Sequence, residues 1–87
     1  MKPTNQKQQV IYYLLNYESI TMKFVINDSM FFKFTTRLSE IENELGFSIT
    51  NKDKIKFISR FGRKSKFNKY SKSVSDKKLI EIFNHYA

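Results

Sequence analysis

The apolar rhythm of this chain changes at Gly46, and that change restricts the fold more than any other feature. Before Gly46 apolar residues recur at spacings of three and four; from Phe47 to Phe61 they alternate. A period near 3.6 builds helices that bury one stripe, and a period of two builds strands that bury one face. The chain therefore reads as helices followed by a β-hairpin, and 87 residues are too few to divide between two cores.

In the helical half, "TNQKQQVIYYLLNYES" sets Val10, Tyr13, Leu14 and Tyr17 on one stripe, widened by Ile11 and Leu15. This predicts a helix over about residues 4–17 with Thr4 as its cap. "ESIT" leans towards strand. Thr21 can cap a short helix in "MKFVINDS", with Phe24 and either Val25 or Ile26 inward and Asp28-Ser29 as its end. In "KFTTRLSEIENELG" the stripe is Leu38, Ile41 and Leu45; Thr35 or Thr36 can cap it, and Gly46 suits a left-handed exit.

Past Gly46, Phe47, Ile49, Ile55, Phe57 and Phe61 share one parity, while Ser48, Thr50, Lys52, Lys54, Lys56 and Arg60 share the other. The first set is expected to face the core. Gly62 in "FGRK" can turn the chain into a returning strand, "SKFNKY", at 65–70. A last helix over about 74–86, capped by Ser73 or Ser75, carries Leu79, Ile82, Phe83 and Tyr86. That stripe either closes the core over the first helix or joins a second copy in a homodimer. The order matches an α+β winged helix-turn-helix: one domain over 1–87, with a core over 4–72, a basic hairpin as wing and an added C-terminal helix.

Charge separates the same two regions. Residues 1–51 carry five cations and five carboxylates, and the tail from 73 also cancels. Between Lys52 and Lys72 nine basic residues face one acid, Asp53, so the whole formal charge of +8 lies in the hairpin. A hairpin kept soluble by charge needs both signs; a single sign repels itself unless a polyanion relieves it.

Two stretches, "TRLSEIENELGFSI" at 36–49 and "RFGRKSKFNKY" at 60–70, together with "NQKQQVIYYLLNYESIT" at 5–21, resemble the small helix-turn-helix proteins of bacteriophages and prophages. The resemblance spans about residues 4–72 and implies a DNA-binding regulator, with contacts at the start of the third helix from Lys33 to Arg37, Thr35 included. On the residues themselves, a 100° step with Leu38, Ile41 and Leu45 inward turns Thr36, Ser39, Glu40 and Asn43 outward with Arg37 on the flank. These five are the candidate base readers, through arginine to guanine, asparagine to adenine and glutamate to cytosine. Lys54, Lys56, Arg60, Arg63, Lys64, Lys66 and Lys69 are the candidate backbone anchors on the wing, with Arg63 beside Gly62 placed to enter a minor groove.

Other chemistries find little footing. There is no cysteine, two glycines cannot build a phosphate loop, and the one histidine, His85, has no second ligand nearby in sequence. The carboxylates at 40, 42 and 44 scatter around a helix. We therefore expect no enzyme, no cofactor, no metal and no membrane partner, and a place in the cytoplasm of a bacterial host. Two rival partners stay open. The acids of the third helix and the aromatic "MFF" at 30–32 suit a host protein, and Phe57, Phe61, Phe67 and Tyr70 raise stacking on unpaired RNA or DNA bases. Parity favours packing for the three phenylalanines and leaves Tyr70 undecided.

Overall fold

The computed structural model describes the backbone at residues 2–58, 62 and 64–87, and the side chains of these residues outside 55–58 and 64–67. Its elements run α1 (Gln6–Asn16), β1 (Ile20–Thr21), α2 (Met22–Ser29), α3 (Phe34–Leu45), β2 (Thr50–Ile58), β3 (Lys64–Lys72) and α4 (Asp76–His85). The fold is a small α+β unit: four helices and a three-stranded antiparallel sheet of order β1-β3-β2 among the described residues. None of these helices is long and apolar enough to cross a membrane.

The helix ends follow local hydrogen bonding more than residue spacing. Asn5, not Thr4, caps α1, its side chain accepting from the Gln8 N–H at 2.8 Å. Thr4 is drawn off instead: its hydroxyl and its N–H both donate to Gln8 Oε1, at 2.6 and 2.8 Å. Gln8, buried to 2% exposure, then donates to the Phe83 carbonyl at 3.0 Å. A buried amide with all its polar atoms paired costs little and fixes α1 against α4.

Thr21 caps α2 as expected, accepting from the Phe24 N–H. Only Val25 of that helix is fully buried; Phe24 stays at the surface with 37% exposure, its ring against Tyr17 and Tyr13. Neighbouring residues on a helix lie 100° apart, so in a helix this short the one at the centre of the stripe displaces the other. α2 ends on Met30, whose φ of 57° is left-handed.

α3 starts earlier than its threonines suggested. Phe34 is fully buried, packed between Phe31 and Tyr70, and its burial carries the helix start back to it. Lys33 thus stands at the cap position without a side-chain cap bond, and Thr35 and Thr36 fall inside the first turn. Gly46 closes the helix at φ 79°.

The hairpin corrects the parity reading. Ile49 and Thr50 are both buried, so the alternation slips as the chain enters β2, and Phe47 ahead of it is 42% exposed. Ile20, Tyr70 and Lys52 form one row across the sheet, and Lys54 faces Asn68 in the next row on that face. Since Ile20 and Tyr70 are buried, positions 52 and 54, expected on the outer face, share the core-side face. The side chains of Ile55, Phe57 and Phe67, and Phe61 entirely, lie outside the described residues. Tyr70, left undecided by sequence, is a core residue at 5% exposure.

Ser75 caps α4, and Leu79, Ile82 and Phe83 are buried against the rest of the core, α4 packing chiefly on α1. The stripe that sequence offered to a homodimer is thus spent inside the chain; Tyr86 is half-buried and bonded to Glu44.

Candidate nucleic-acid interface

α3 buries Phe34, Leu38 and Ile41 and leaves Thr36, Ser39 and Asn43 exposed on its opposite side. These three are short, polar and adjacent on one helical face. Lys33 is exposed at its start. Arg37 and Glu40, also expected to read bases, are joined to each other: Arg37 Nη1 donates to both carboxylate oxygens at 2.8 Å. Arg37 Nε donates in turn to Gln6 Oε1 of α1 at 2.8 Å. The guanidinium is thereby turned along the helix flank, with much of its donor capacity committed.

One turn further on, Glu44 ties the same flank to both ends of the chain. It pairs with Lys7 of α1 and accepts from the Tyr86 hydroxyl at 2.7 Å, while the Lys7 ammonium lies 5.0 Å from the centre of the Tyr86 ring. The Lys7 hydrogen bond, reinforced by that of Tyr86, holds the Glu44 carboxyl below its ordinary range. Burial, and then the bond to Glu44, pushes the Tyr86 phenol up to about 12. A shallow hollow of about 370 Å³ between Gln6, Lys7, Arg37, Glu40 and Tyr86 completes this side.

The other flank of α3 faces the sheet. There a groove of about 480 Å³ is lined by Thr21, Met22 and Lys23 at the start of α2, Thr35 of α3, and Asn68 and Tyr70 of β3. Thr35 therefore lies where a strand backbone could reach it. Lys54 is exposed opposite Asn68, and Lys52, also exposed, reaches over the Tyr70 ring at 5.9 Å. Lys69, opposite Thr21 and Asp53, is half-buried on the reverse face of the strand. Arg60 and Arg63 lie outside the described residues, as do the side chains of Lys56, Lys64 and Lys66. Gly62 has the left-handed φ, 78°, that the turn reading required.

Sequence reasoning missed Lys23, Asn68 and Tyr70 as members of this groove, beside which Lys52 lies. Charge marked Lys52, but only cross-strand pairing shows which cations of a strand share a face. Lys52 and Lys54, which do so, alternate with Asn51 and Asp53 and are exposed, opposite Tyr70 and Asn68 of the groove. Set against protein-family models, curated proteins and solved structures, the chain matches none.

Proposed function

We propose that this protein binds double-stranded DNA as a winged helix-turn-helix, with α3 in the major groove and the β2–β3 hairpin as a wing along the backbone. The concentration of the net charge in residues 52–72, beside the uncharged polar face of α3, carries this reading. The helices and the antiparallel hairpin that follows them, in the β1-β3-β2 sheet, are compatible with such a domain. The short side chains of Thr36, Ser39 and Asn43 let a helix approach base edges closely, and Asn43 suits adenine. The role is that of a small phage-type regulator of transcription or of DNA transactions in a mobile element. A fluorescence titration with duplex DNA at increasing salt tests it: with about six phosphates neutralised, log affinity falls against log salt with a slope near −5. A flat response sinks the reading.

Met30 and Phe32 support a second one. They are 67% and 61% exposed between α2 and α3, more than apolar side chains of this size usually are. A phage product that docks on a host protein through this turn would bind duplex only weakly and recover one stoichiometric host protein from lysate, a capture lost in Phe32→Ser. Stacking on unpaired bases is less favoured, because the buried Tyr70 ring has no free face to offer.

A further inference from the structure

We propose that α3 selects A·T base pairs, because Arg37 and Glu40, the side chains of its first turns able to read a G·C pair, are bound to each other. The inference rests on the duplex-binding reading and names the class of sequence that α3 takes.

In a major groove arginine grips guanine through two neighbouring nitrogens, one bonding O6 and one N7, while glutamate accepts from the amino group of cytosine. Both groups are engaged on α3. Arg37 Nη1 donates to both oxygens of Glu40 at 2.8 Å, and Nε donates to Gln6 Oε1 at 2.8 Å. Every two-nitrogen fork of a guanidinium includes Nε or Nη1, so neither fork is free. The pair also lines the hollow against Gln6, Lys7 and Tyr86, on the α1 flank of the helix. To turn to guanine, Arg37 must leave both partners and strand the Glu40 carboxylate beside O6 and N7, which are acceptors and repel it. Lys33 stands at the cap position ahead of the helix, where its ammonium is a point charge suited to phosphate.

The outer face that remains has another chemistry. Thr36, Ser39 and Asn43 are exposed, at spacings of three and four that keep them on one line. Asn43 can pair with N6 and N7 of adenine, the Thr36 methyl can pack on the methyl group of thymine, and Ser39 suits any base. From Thr36 to Asn43 the helix rises about 10 Å, or about three base-pair steps. The face therefore addresses a run of adjacent pairs.

Selection of bound sequences from a random duplex pool, with titration of the enriched duplex over a range of salt, tests this. The wild type is expected to enrich a run of about three A·T pairs. Asn43→Ala, with its fold verified by thermal melting, should relax one of these positions and weaken the enriched duplex about ten-fold at an unchanged salt slope. Glu40→Ala frees Arg37 and should add a guanine to the enriched motif. The inference is overturned, and the duplex reading stands on its steep salt slope, in any of three cases: no motif is enriched, the wild-type motif holds a guanine that Arg37→Ala relaxes, or Thr36→Ala and Asn43→Ala leave an A·T preference intact. If the wild type binds no duplex, or binds it with a flat salt response, both fall.

Discussion

The two flanks of α3 treat their charges in opposite ways. Towards α1 and α4, Arg37 is held by Glu40 and Gln6, and Glu44 by Lys7 and Tyr86, so that flank is cross-linked and close to neutral. Towards the sheet, the groove has no described carboxylate and its neighbours Lys23, Lys52 and Lys54 are exposed. The contrast separates structural cations from those available to a ligand. Exposed ion pairs add little stability, about 0–1 kcal/mol each, but they decide which lysines and arginines a polyanion can recruit without breaking something first.

The comparison can be broken at its root or sharpened flank by flank. Phe34→Ala removes the fully buried ring between the two and should cost about 3–5 kcal/mol in denaturant unfolding, taking both flanks with it. Lys52→Ala with Lys54→Ala acts on the open flank alone: the salt slope of duplex binding should fall by about two, with unfolding stability within about 0.5 kcal/mol of wild type. Glu40→Gln turns the closed flank towards the open kind by releasing Arg37 and removing a carboxylate that faces phosphate. Duplex affinity should rise a few-fold, seen in the same titration, and a fall would mean that Glu40 itself contacts a base.

The smallest effect concerns pH. The folded-state carboxyl of Glu44 is depressed, so its contribution is present above the ordinary carboxylate range, near 4.5, and is lost as pH falls through the lower folded value. On the alkaline side Tyr86 is raised, so its contribution is present below its ordinary value of 10 and is lost as pH rises through about 12. Thermal melting across pH should show a shallow loss at both ends. Glu44→Gln should flatten the acid limb.

Most of the element order could be read from periodicity, because helices with Leu38, Ile41 and Leu45 or Leu79, Ile82 and Phe83 on one stripe have few alternatives. The parts that could not be read depended on long-range pairing. The slip at Ile49-Thr50 is seen in the burial of two consecutive residues and has no local signature. Asn5 displaced Thr4 as a cap because Gln8, 75 residues from Phe83 in sequence, engages Thr4 on one side and α4 on the other. The polar face of α3 was legible as a face; the capture of Arg37 by Gln6 was not, since it depends on where α1 begins.

One further contact joins the end of α3 to the start of the hairpin. Glu42 Oε2 accepts from the Ile49 N–H at 2.8 Å, from the Ser48 hydroxyl at 2.7 Å and from the Thr50 hydroxyl at 3.3 Å. A single oxygen atom thus acts as the set-square between helix and hairpin. If these two elements grip adjacent grooves, the pitch of the nucleic acid they can span is gauged here, at a carboxylate that need touch no nucleotide.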